Sequence, residues 1–282
     1  MTRKIQGTKI KETVKRLCVV SGTVLRDDIY RALKASYSAE KSGSRAKEML
    51  KVLLDNADIA KKDGLPICQD TGMVAVFVDI GQDVVVEGGY IKEMINEGVK
   101  DAYREADFRK SVVKDPILRK NTGTNAPSVI HFDIVKGDKI SISIMPKGFG
   151  AENKSKIKMF NPTVSPLEIV EFCVDVVKDA GPDACPPYIL GIGFGGTMED
   201  AALMAKKALL QPVDIKSKHK HLAELAEAIK GKANDLEIGV MGLGGGSTVL
   251  GVNVAAGPTH IAGLPVAVNV SCHALRGASA II

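Results

Sequence analysis

The chain has 282 residues, 45% of them hydrophobic and 25% charged, the composition of an ordinary globular protein long enough to bury a sizeable core. Its formal charge is +5, but the lysines are scattered and the densest clusters, residues 154–158 and 216–220, lack interleaved aromatics, so no nucleic-acid footprint is expected. No apolar run reaches the about 18 residues of a membrane span, the first residues lack the apolar core of a secretory signal, and five cysteines are too few, and odd in number, for a disulfide framework; the expected location is a reducing cytoplasm.

Taken in order, the first stretch, about residues 1–65, is helical. Leu25, Ile29 and Leu33 recur at helical spacing over 24–36, and Met49, Leu50, Leu53, Leu54 and Ala57 do so over 46–62, ended by Gly64-Leu-Pro66. Cys18 lies in an apolar run, Leu17 to Val20, and is assigned to packing. From about residue 66 the period changes. Residues 74–80 are a predicted strand and 88–105 an amphipathic helix; 128–135 and 139–145 are predicted strands forming a hairpin across Lys136-Gly-Asp138. Ser165-Pro-Leu-Glu168 opens a helix over 165–178, with Cys173 on its apolar side. Residues 188–192 form a strand, 198–210 and 219–229 helices, 237–241 a strand, and 249–255 and 265–271 strands separated by a turn at 257–260. The expectation is a mixed α/β fold in one domain, 1–282, with a helical N-terminal part and a mixed α/β part from 66 onward.

Gly191-Ile-Gly-Phe-Gly-Gly196 matches the dinucleotide-binding pattern, with Asp214 near the ribose spacing. Asp214 does not end a clear second strand and the regular βαβ alternation is missing, so a non-catalytic nucleotide-binding module is the remote alternative. Three other cysteines sit in turn-forming company: Cys68 in Ile67-Cys-Gln-Asp-Thr-Gly72, Cys185 before Pro186-Pro187, and Cys272 in Ser271-Cys-His273. In a reducing compartment such thiols are metal ligands or nucleophiles rather than staples. Their wide spacing is unlike a ferredoxin or zinc ribbon, and spacing alone leaves an iron–sulfur cluster, a three-cysteine zinc site and scattered free thiols all open.

Ile67-Cys-Gln-Asp-Thr-Gly72, Asn121-Thr-Gly-Thr-Asn125, Ala184-Cys-Pro-Pro187, Gly195-Gly-Thr-Met-Glu-Asp200 and Gly257-Pro-Thr-His260 through Cys272, in this order along nearly the whole chain, resemble the class I iron–sulfur fumarase and tartrate dehydratase family. Single-chain members continue into a second, smaller domain, whereas this sequence stops soon after Cys272. It therefore resembles the alpha subunit of the two-subunit form, whose separate beta subunit completes the active site. The resemblance implies a 4Fe–4S cluster on Cys68, Cys185 and Cys272 with one open iron as Lewis acid. It implies Asp70 as catalytic acid for a leaving hydroxyl, and Gln69, Arg109, Gly150 and His260 as substrate contacts; Phe149 departs from the family's all-glycine version of the run before Gly150.

The implied activity is reversible hydration of fumarate to (S)-malate, a tricarboxylic acid cycle reaction. Dehydration of L-tartrate or of a related dicarboxylate is the alternative. The implied assembly is a homodimer of alpha chains or an alpha2beta2 complex, without membrane or nucleic-acid partners. On the residues alone blander roles stand beside these: Asp70 as a turn former, Arg109 as a solvated charge, His260 as the start of an element. Lys147 is an anion contact or a surface lysine, His273 an outer-shell neighbour of the cluster, and His131 a structural residue in a strand.

Overall fold

A computed structural model describes residues 2–282. It is a mixed α/β protein whose chain divides into two compact units, Met1–Arg26 with Ala57–Phe149 and Arg276–Ile282, and Asp27–Asn56 with Gly150–Leu275.

In the first unit, β1 (Arg3–Gln6) and β3 (Val84–Glu87) pair in parallel. A four-stranded sheet has the order β10 (Ala278–Ile281), β5 (Ile140–Lys147), β2 (Met73–Gly81), β4 (Val129–Val135). Val74, Val76 and Val78 of β2 and Ile140, Ile142 and Ile144 of β5 alternate onto one face, as period-two strands must. That face is covered by Ile10, Val14 and Leu17 from helix α1 (Gly7–Thr23) and Ile95, Val99 and Tyr103 from helix α4 (Ile91–Glu105), spaced at helical intervals. Each of these aliphatic side chains contributes about 1.5–3 kcal/mol by leaving water.

The expected hairpin of residues 128–145 is corrected by the topology. β4 and β5 do not pair with each other; both pair with β2, β4 in parallel and β5 antiparallel. The most apolar strand takes the central place, and the intervening turn wraps its end, Gly81 N–H donating to Lys139 O at 2.8 Å and Gln82 N–H to Val135 O at 2.8 Å. His131 stands opposite Phe77 and stacks on it at 5.2 Å.

The second unit carries helix α2 (Asp27–Ala39), the first part of α3 (Arg45–Asp63), and a sheet of order β6 (Lys156–Phe160), β9 (Leu264–Ser271), β7 (Tyr188–Gly196), β8 (Val249–Thr259). Leu190, Ile192 and Phe194 of β7 face the core with Val170, Cys173 and Val177 of α6 (Pro166–Ala180) and Leu222, Ile229 and Ala233 of α8 (Lys220–Asn234). The alternate positions Gly191 and Gly193 face α7 (Met198–Ala208) so closely that a methyl at either would lie 2.1 Å from a helix carbonyl, that of Ala205 or Ala201. Helices thus cover both faces of this sheet.

That packing disposes of the nucleotide alternative. The glycine run is not a phosphate-binding loop but the strand itself, emptied of side chains so that a helix can approach. The N-terminal end of α7 is already capped by Thr197 and Asp200 in a reciprocal box, and Asp214 is held by the Arg31 guanidinium at 2.5 Å.

Two further expectations are overturned. Residues 237–241 are not a strand: Glu237, Gly239 and Met241 have positive φ, and the chain doubles back through a 3-10 turn at Val240–Gly242. The turn expected at 257–260 comes later, because β8 runs on to Thr259. The capping box of Ser165 and Glu168 forms as expected, both partners engaged.

Candidate active site

The segment Cys68 to Gly72 lies in the first unit just ahead of β2, without regular secondary structure, and is held by its backbone. Ile67 N–H donates to Gly22 O at 3.0 Å, and the buried Tyr103 hydroxyl donates to Thr71 O at 2.6 Å. Thr71 Oγ1 donates to the main-chain oxygen of Arg109 at 2.6 Å, and Asn125, fully buried, bridges Gly72 O and Ser111 N–H. Burial drives the Tyr103 phenol above its ordinary value, which keeps it a neutral donor.

Within this cradle the Asp70 carboxylate accepts from Gly72 N–H through Oδ1 at 3.0 Å and from Phe149 N–H through Oδ2 at 2.9 Å. Arg276 donates from Nη2 to the Asp70 main-chain oxygen at 2.7 Å. A side chain at Gly148 would press on Asp70 Oδ2 at 3.1 Å, and one at Gly72, where φ is +80°, would strike the backbone of residues 146–147 at 2.8 Å. Only glycines allow the two strands of chain to close around the carboxylate. Sequence reasoning singled out Asp70 but missed Arg276, because nothing in its neighbours signals that a terminal arginine is 2% exposed.

The five cysteines fall into two classes. Cys18 and Cys173 are buried at 1% and 0% exposure; burial pushes the Cys173 thiol up to about 12 and the Cys18 thiol higher still, so neither is a thiolate at neutral pH. Cys68, Cys185 and Cys272 are half-buried. Cys68 belongs to the first unit, Cys185 and Cys272 to the second. Cys185 takes a left-handed φ of +58°, which an L-residue adopts only under constraint from its surroundings. The residue after Cys272 supplies part of that constraint: His273 donates to the Cys185 carbonyl from its backbone N–H at 3.3 Å and from Nδ1 at 3.1 Å, since a carbonyl can only accept.

Among the described residues no three His, Cys, Asp or Glu side chains are gathered as a metal-binding group. The donor chemistry nevertheless fits a thiolate-bound group, because the three accessible thiols are those in turn-forming segments and the two excluded ones are sealed in cores. Gln69 and Arg109 are exposed, and Gly150 lies in a short helical turn, α5 (Phe149–Glu152), with open space where a side chain would be. His260 is exposed in the turn after β8, where its Nδ1 accepts from Ala262 N–H at 3.1 Å; the neutral ring then carries its proton on Nε2. Lys147, left open on sequence grounds, is buried.

The family model described as fumarate hydratase (Fumerase) matches residues 11–281. A protein of Methanocaldococcus jannaschii provisionally named L(+)-tartrate dehydratase subunit alpha is 38% identical over 276 residues, covering 96% of each chain. L(+)-tartrate dehydratase subunit alpha of Escherichia coli strain K12 is 30% identical over 271 residues, covering 95% of this chain and 89% of its own.

Proposed function

The chain belongs to the fumarate hydratase family, and from that premise we propose that it is the alpha, cluster-binding subunit of a hydro-lyase that reversibly hydrates fumarate to (S)-malate. Cys68, Cys185 and Cys272 would hold a 4Fe–4S cluster. Bound by three protein thiolates, such a cluster keeps one iron free to act as a Lewis acid on a substrate hydroxyl. Asp70 transfers the proton at that hydroxyl oxygen, giving it up as water leaves and taking it back in the reverse direction. Arg109, a planar fork of donors, grips a substrate carboxylate, and the amide of Gln69, the backbone N–H of Gly150 and the Nε2–H of His260 are further donors to the dianion. The group that takes the proton from the carbon alpha to a carboxylate belongs to a separate beta subunit, so the lone chain is inactive.

The observation that carries this reading is the anchoring of the Asp70 carboxylate between the amides of Gly72 and Phe149, two residues beyond Cys68. A proton-transferring group must be aimed before it is useful. Dehydration of L(+)-tartrate is the second reading, favoured by the names of the relatives. Both use the same bond cleavage on a four-carbon dianion. The test is an anaerobic assay of the chain with its beta partner on fumarate, malate, mesaconate and L(+)-tartrate side by side. Fumarate and malate should turn over fastest, and Asp70→Asn should cut kcat by about a hundredfold or more. Turnover of tartrate far above malate would transfer the assignment to the second reading, and full activity of the lone chain would remove the beta subunit from the scheme.

A further inference from the structure

Arg276 breaks a rule that stable cores keep. The residue is 2% exposed, yet Nε and Nη1 are buried with no hydrogen-bond partner; only Nη2 is engaged, on the main-chain oxygen of Asp70. A buried cation with idle donors costs stability, and an apolar side chain of the same length would fill the space at no such cost. A local violation without a packing return marks a position held for function. The one bond that Arg276 does make points to which function. It grips the residue whose carboxylate is also fixed by Phe149 and Gly72. Gly148 leaves room for both, since its absent side chain would lie 3.1 Å from Asp70 Oδ2 and 3.6 Å from Arg276 Nη2.

We propose that Arg276 is the positioning residue for Asp70, clamping its main chain so that the carboxylate faces the reacting oxygen. The proposal rests on the proton-transfer role given to Asp70 above. Arg276 acts through the peptide it holds, by one Nη2–H bond whose direction the rigid guanidinium plane fixes more tightly than a freely rotating ammonium can. The stability of the unit and the rate of the reaction should therefore separate at this position.

The experiment compares Arg276→Met, Arg276→Lys, Asp70→Asn and the double variant Arg276→Met with Asp70→Asn, in enzyme purified anaerobically with its partner subunit. Melting temperature, iron content, kcat and KM are measured for each. Arg276→Met should melt at or above the wild-type temperature with unchanged iron, while kcat falls at least about tenfold and KM stays within about twofold. The double variant should be no slower than Asp70→Asn alone, because the clamp has nothing left to aim. If Arg276→Met does not accumulate, Arg276→Lys decides: an intermediate kcat at wild-type melting temperature supports the clamp, and wild-type kcat overturns it. A kcat loss that tracks a loss of melting temperature, or that multiplies with the Asp70→Asn loss, overturns the clamp while leaving Asp70 in its role. Wild-type kcat in Asp70→Asn removes that role and the clamp together.

Discussion

Adding one methyl group to Gly193 should be among the most damaging conservative changes available in the second unit. The new carbon would sit 2.1 Å from the Ala201 carbonyl oxygen and 2.7 Å from Ala205 N. Ordinary contact lies near about 3.5 Å, so helix α7 would have to withdraw by roughly an ångström or more. Both obstructing atoms are backbone and cannot rotate away. Withdrawal would also loosen the layer where Ala201, Ala205 and Ala267 pack at near-zero exposure. Overpacking typically costs about 1–3 kcal/mol, and a clash with helix backbone belongs at the upper end, about 3 kcal/mol. At about 2–4 °C per kcal/mol, melting should fall by about 6–12 °C. The control is Gly231→Ala: this glycine sits exposed in α8 with open space around it, so the change should stabilise by about 0.5–1 kcal/mol through helix propensity. Calorimetry with urea unfolding on both variants reads the two signs. A Gly193→Ala protein that melts with the wild type would refute the account of β7 as a strand emptied to admit a helix.

Two predictions follow from the division of the cysteines. Anaerobically prepared protein should carry iron and show thiolate-to-iron absorption; Cys68→Ser, Cys185→Ser or Cys272→Ser should each deplete both, whereas Cys173→Ala and Cys18→Ala should keep them, as iron per chain will report. Burial raises the Cys173 thiol from 9.0 to about 12, so the native state keeps its proton while the unfolded chain ionises. The stabilisation is fully present below pH 9.0 and drains away between there and about 12, at about 1.4 kcal/mol per pH unit. Between about pH 8 and about pH 10 the urea midpoint should therefore fall more steeply in the wild type than in Cys173→Ala, and parallel declines would contradict the assignment.

What the sequence disclosed was mostly local. Ser165 and Glu168 announce a helix start because both partners of the box lie within one turn, and Cys173 announces burial because Val170 and Val177 flank it at helical spacing. The strand at Val74 to Val78 was legible from apolar content, but its central place between β4 and β5 was not, because pairing is decided by competition among distant strands. Short strands such as β1 and β3 have too few residues to show a period. Residues 237–241 look extended in composition, and nothing in Glu237 or Met241 foretells a positive φ imposed by the surrounding turn. Asp70 was visible through the motif that contains it, whereas Arg276 acquires its burial only when the end of the chain is in place.

The last strand of the first unit has a consequence for how the molecule is made. Ala278 pairs with Ile144, and Ile281 with Ser141, so β5 borrows its outer neighbour from residues translated long after it. Until the ribosome has delivered that segment, β5 presents an unsatisfied edge beside three buried isoleucines, the kind of margin on which nascent chains stick to one another. A chain truncated before Ala278 should thus yield insoluble product, and cells making this protein have reason to shelter it until β10 has emerged.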